Sequence, residues 1–167
     1  MNIQDSTTQT ILESEAEMLL SLSEADLNEM LAMRVNAIQS DLSLALQPAI
    51  AVEKSPFEAV RIPDWIRKTV ATMIQTALEQ SHNVICSDDP DYLPLRTQLV
   101  SALGLGGTAA VLAFAGFLTT TLGFAAALAT VVATIIIKKI GEPTLQAGHQ
   151  AMCTELKTML QEKYPEA

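Results

Sequence analysis

The chain has 167 residues, 49% of them hydrophobic, and a formal net charge of −9. That length fits one domain with a substantial core, and that acidity argues against a nucleic-acid binder. Two cysteines permit at most one disulfide, which excludes a disulfide framework.

The acidity is local. Residues 1–60 hold ten acids and two bases (Arg34 and Lys54), whereas the rest of the chain is close to balanced. The start, Met1-Asn2-Ile3-Gln4-Asp5, has no basic residue, apolar core or cleavage site. It is not read as a secretory signal, so a cytosolic origin is expected.

Residues 1–10 are polar and read as a loose tail, followed by a short helix over 11–22 carrying Leu12, Met18, Leu19 and Leu22. Its other side holds Glu13, Glu15 and Glu17, read as a solvated acidic face or a docking surface for a partner protein. Ser23-Glu24-Ala25-Asp26 resembles a capping box, with Asp in place of the preferred Glu or Gln. Leu27, Leu31, Val35, Ile38, Leu42 and Ala45 then follow at helical spacing, which predicts an amphipathic helix over 23–46 ending before Pro48.

Residues 48–56 read as a linker. Ser55-Pro56-Phe57-Glu58 reads as the start of a short helix that Pro63 interrupts. From Asp64 the spacing of Ile66, Val70, Met73 and Ala77 predicts a helix to about residue 81. Trp65, the only tryptophan, is expected as a core or hinge anchor; beside Arg61, Arg67 and Lys68 it also suits a membrane interface. Residues 82–93 read as a polar loop. Its acids, Asp88, Asp89 and Asp91, do not fit a calcium loop. Pro94 is expected to start the next helix.

From Gln98 to Ile137 the chain carries no Lys, Arg, Asp, Glu or His over forty residues. One helix of that length would measure about 60 Å, roughly twice a bilayer's hydrocarbon core. A break is expected at Thr119-Thr120-Thr121-Leu122-Gly123, giving a hairpin with arms of about twenty and sixteen residues. Small residues recur at Ala102, Gly106, Ala109, Ala113 and Gly116 in the first arm, and at Gly123, Ala126, Thr130 and Ala133 in the second. Such stripes let helices approach closely in lipid. Leu at Gly106 and Gly116 is therefore expected to disrupt the hairpin.

Arg96 precedes the run and Lys138 and Lys139 follow it, while its tip is uncharged. In a membrane these flanks would both lie in the cytoplasm; in a soluble bundle the lysines would stabilise a helix C-terminus. Gly141-Glu142-Pro143 reads as a stop and restart. The last helix, 143–162, is expected to bury Leu145, His149, Met152, Leu156 and Met159 or Leu160.

Little else suggests chemistry. His82 and Cys86, and His149 and Cys153, are pairs four residues apart. Together they offer four zinc ligands, but in an order that matches no standard zinc module, and cysteines are common in cores. Gly104-Leu105-Gly106-Gly107 lacks the ending and the strand of a phosphate loop. No enzyme, cofactor or metal site is expected.

The expected fold is all-α, with about six helices in which amphipathic segments pack with the apolar hairpin. The boundaries fall at 1–22, 23–97, 98–140 and 141–167. In layout this resembles colicin-type pore-forming domains and Bcl-2-like proteins, a resemblance that transfers no site residue. The leading functional expectation is a membrane-associated protein whose hairpin anchors in, or oligomerises within, a lipid bilayer. The alternative is a soluble interaction module with the hairpin as its core.

Overall fold

The computed structural model describes residues 3–41 and 62–162, with residues 3–10 and 40 described by their backbone alone. The predicted linker at 48–56 and the short helix from Ser55 lie outside the described residues. These comprise eight α-helices and no strand: α1 (Ile3–Leu20), α2 (Glu24–Ser40), α3 (Asp64–Ile85), α4 (Leu93–Gly104), α5 (Gly107–Thr120), α6 (Ala126–Ile140), α7 (Glu142–Ala147) and α8 (His149–Gln161). A 3-10 turn at Pro90–Tyr92 leads into α4.

The local signals act as their chemistry dictates. The Ser23 side chain accepts the backbone N–H of Asp26 at 3.1 Å and caps α2. Pro63 occupies the N-cap of α3, and Pro94 sits in the first turn of α4. The Asp88–Asp91 segment is a polar turn. Asp89 accepts the N–H of Asp91 at 2.9 Å, and Arg96 donates to the Asp89 carbonyl at 2.8 Å.

Element boundaries differ from the expectations in several places, α2 among them, which ends at Ser40 with Asp41 as its C-cap rather than near residue 46. α1 starts at residue 3, because nothing in the first twenty residues breaks a helix. α3 runs one turn further, through His82 to Ile85, since Val84 and Ile85 extend its buried stripe. The first hairpin arm is two helices. The chain turns at Gly106 (φ +69°) and Gly107 (φ +55°), backbone conformations that favour glycine. Finally, Gly148 (φ +108°) divides the C-terminal helix into α7 and α8.

α6 is the axis of the molecule. It packs against α5, α2, α1, α3, α7 and α8. Every residue from Ala127 to Ile137 is buried, as expected for a helix that is apolar all round. The amphipathic helices turn their stripes towards it: Leu27, Leu31, Val35 and Ile38 from α2, Ile66, Val70, Ile74 and Ala77 from α3, and Met152, Leu156 and Met159 from α8. All of them join one hydrophobic core. Trp65 is not a core anchor: it stands 54% exposed at the start of α3.

Among the described residues no helix is long and apolar enough to cross a membrane. α5 and α6, with 14 and 15 residues, measure about 21 and 22 Å at 1.5 Å per residue, short of the ~30 Å hydrocarbon core. The transmembrane arms expected from the sequence are therefore not present in this fold, because the Gly106–Gly107 turn shortens the first of them.

Candidate functional site

The hairpin tip forms where the threonine run meets Gly123. Gly123 adopts φ +75°, a backbone conformation that favours glycine, and the Phe124 N–H reaches back to the Leu118 carbonyl at 3.0 Å. α5 then lies along α6. Its buried face consists of Ala110, Val111, Phe114, Ala115, Phe117 and Leu118. The Phe114 and Phe117 rings meet at 5.7 Å.

The small-residue positions separate into two groups. In the first arm Ala109 and Gly116 are exposed, Ala102 and Ala113 are half-buried, and Gly106 is buried at the α4–α5 turn. In this fold only Ala109 and Gly116 of that stripe lie on the outer side of α5, away from its buried face. In the second arm Thr130 and Ala133 are buried within α6, Ala126 is half-buried, and Gly123 is exposed at the tip. The two glycines expected to be equally sensitive differ. A Cβ at Gly116 would meet nothing within 4 Å, whereas at Gly106 it would lie 2.8 Å from a Glu142 oxygen.

α5 is a surface helix with no charged residue. Its outer side shows Ala109, Gly116, Thr119 and Thr120, and Leu105 just before it is 73% exposed. Three of the hairpin's hydroxyls are satisfied from within. Thr119, Thr120 and Thr134 donate to the carbonyls of Ala115, Gly116 and Thr130 at 3.0, 2.8 and 2.8 Å. Bonds to the carbonyl four residues back leave these groups needing no outside partner.

Charged side chains from neighbouring elements fasten the hairpin. Arg34, 1% exposed, pairs with Glu15, 9% exposed, and donates to the Ala127 carbonyl at 3.0 Å. This buried pair joins α1 and α2 at the start of α6. It is the charged feature that the amphipathic pattern does not announce. Its signal is positional: Arg34 lies three residues after Leu31 and four before Ile38, on the apolar stripe.

The flanking charges all have protein partners. Lys138 donates to the carbonyls of Leu20, at 3.0 Å, and Leu22, holding the last turn of α1. Lys139 pairs with Glu24 at 3.2 Å, and Arg96 holds the Asp89 carbonyl. Lys138 thus serves the C-terminus of a different helix from its own. Nearby, Arg67 and Glu29 form a two-pronged pair at 2.9 and 3.1 Å between α3 and α2. The Glu29 hydrogen bond raises the Arg67 pKa above its ordinary value.

The two His–Cys pairs come together where α3 ends and α8 begins, but as a covalent link. Cys86 and Cys153 form a disulfide with a Cα–Cα distance of 5.6 Å. Their sulfurs are spent on each other, so the four-ligand zinc arrangement is not built. Among the described residues no group of three or more His, Cys, Asp or Glu is placed to hold a metal. His149 Nε2 meets the Ile85 carbonyl and lies 3.5 Å from Cys153 Sγ.

No family model, curated protein or solved structure matches the chain.

Proposed function

We propose that this is a membrane-associated helical protein that keeps α6, the inner arm of its apolar hairpin, sheathed as the axis of a bundle and engages a lipid surface through the hairpin. The observation that carries the reading is the hairpin's self-sufficiency. It has no charge from Gln98 to Ile137, and its Thr119, Thr120 and Thr134 hydroxyls bond within their own helices. Transfer of such a unit to lipid carries no charge and brings these three hydroxyls already partnered, as a bilayer requires. The uncharged outer side of α5 supports the same reading, because a helix facing water ordinarily carries charge there. Engagement begins at that face, and deeper insertion requires α1 and α2 to move away from α6.

The test is flotation of the full-length protein with phosphatidylcholine vesicles, beside Ala109→Glu. Ala109 is exposed, so the substitution adds charge to the outer face while sparing the core. The wild type floats with the vesicles, and Ala109→Glu remains at the bottom with its unfolding midpoint little changed. Equal flotation of the two would refute the role of the α5 face. A wild type that stays free of vesicles would refute the membrane reading.

The second reading is an all-α interaction module with the hairpin as permanent core. The burial of α6 on every side and its fastening by Arg34 favour it. Its partner would dock on the acidic face of α1, where Glu13 and Glu17 are exposed. Self-association is a further expectation that sedimentation of the full-length protein would test.

A further inference from the structure

The Cys86–Cys153 bond closes a loop that contains α4, the α5–α6 hairpin and α7. Its two sulfurs have different surroundings. Cys86 lines a shallow surface pocket of about 370 Å³, together with His82, Asn83, Ser87 and Tyr92. Cys153 is not part of that lining and sits beside the His149 ring, with Nε2 at 3.5 Å from its sulfur.

The His149 nitrogen has an assignable role. Nε2 is in hydrogen-bond contact with the Ile85 carbonyl, and a carbonyl oxygen only accepts. Nε2 therefore carries a hydrogen; in the intact disulfide the Ile85 carbonyl takes it, and Cys153 Sγ at 3.5 Å is placed as a second acceptor for the same N–H. A thiolate leaving from Cys153 would compete with the Ile85 carbonyl for that N–H, whereas among the described residues no histidine N–H is placed in the same way at Cys86. Stabilising the departing thiolate speeds thiol–disulfide exchange, and access decides which sulfur is attacked.

We infer that this disulfide is a one-sided thiol-exchange site, in which a small thiol attacks Cys86 through the pocket and Cys153 departs towards His149. In the first step the incoming thiolate forms a bond to Cys86 Sγ, and the Cys86–Cys153 bond breaks. Its electron pair remains on Cys153 Sγ, which accepts the His149 N–H and takes a proton from water. A second thiolate then attacks the sulfur of the bound small thiol, forming the small-molecule disulfide; the bond to Cys86 breaks, its electron pair stays on Cys86 Sγ, and a proton from water completes the second protein thiol. Two small thiols are oxidised for one protein disulfide reduced. The site stands independently of the membrane reading. Its opening unties the two ends of the segment that carries the hairpin.

The experiment treats the folded full-length protein with 2-mercaptoethanol. This probe is neutral, because Asp88, Asp89 and Asp91 follow Cys86 closely and would repel an anionic thiol. After acid quenching and alkylation, peptide mass spectrometry reads which cysteine carries the adduct. The adduct is expected on Cys86 at least fivefold over Cys153, with the alkyl group on Cys153. His149→Ala is expected to slow opening about five- to tenfold in the folded protein. In urea it should react at the wild-type rate, and His149→Gln, which keeps an N–H, should recover part of the rate. An adduct on Cys153, an even partition, or no adduct without denaturant would overturn the inference. A native opening rate indifferent to His149 would overturn its second half.

Discussion

At the scale of single residues, the decisive contacts are those that place polarity inside an apolar frame. Arg34 and Glu15 are both buried, and each is the other's charge partner. Breaking a buried pair by removing one member typically costs about 3–5 kcal/mol, because the remaining charge is stranded. Arg34→Met is therefore expected to lower unfolding stability by about 3 kcal/mol. The double variant Arg34→Met with Glu15→Leu should recover most of that loss in a urea-denaturation cycle. Additive losses would mean that the two charges act separately. The glycines give a second residue-scale prediction. Gly116→Ala should stabilise the protein by about 0.5–1 kcal/mol, since α5 gains helix propensity and the site is open. Gly106→Ala should destabilise it, since its positive φ strains any residue with a Cβ and the Glu142 side chain would have to move aside. Thermal melts of the two variants check the opposite signs.

At the scale of elements, α1 is the part held most clearly from outside. Ala16 and Leu19 are its fully buried apolar residues among those whose side chains are described, and Ile11 and Met18 are exposed. Lys138 therefore matters, because it ties the last turn of α1 to the end of α6. Hydrogen bonds to a charged group contribute roughly 1.5–3 kcal/mol. Lys138→Met is expected to speed amide exchange in α1 by an order of magnitude or more, with little change in α3 and α8. Uniform acceleration along the chain would contradict a local clasp. Much of this element level is legible in the sequence. The Ser23 cap, the Leu27–Ile38 stripe and the Gly123 tip all follow from residue type and spacing. The Gly106 and Gly148 breaks are harder to read. Apolar or amphipathic periodicity continues across each, and only the backbone shows which glycines take positive φ. Arg34 is hard to read for another reason: a charge on a stripe is ordinarily solvated, and its partner lies nineteen residues away on another helix.

At the scale of the whole molecule, one core surrounds α6, and one covalent link spans it. Cys86 and Cys153 are 67 residues apart, so no local pattern pairs them; only the packing of α3 on α8 does. Closing a loop of that length stabilises a fold by about 4 kcal/mol in the chain-entropy account. Replacing both cysteines with serine should lower unfolding stability by up to that amount, as read from chemical denaturation. No change would mean that the bond is not formed in solution.

The central claim is that the hairpin axis is sheathed in the folded bundle and is approached by lipid when the sheath opens. Amide hydrogen exchange on the full-length protein, in buffer and then on phosphatidylcholine vesicles, tests it most directly. In buffer α6 should be the slowest-exchanging helix. On vesicles α6 should stay protected while α1 loses protection, as the covering helix leaves and lipid takes its place. Identical exchange of α1 and α5 with and without vesicles would contradict the claim and leave the hairpin as a permanent core.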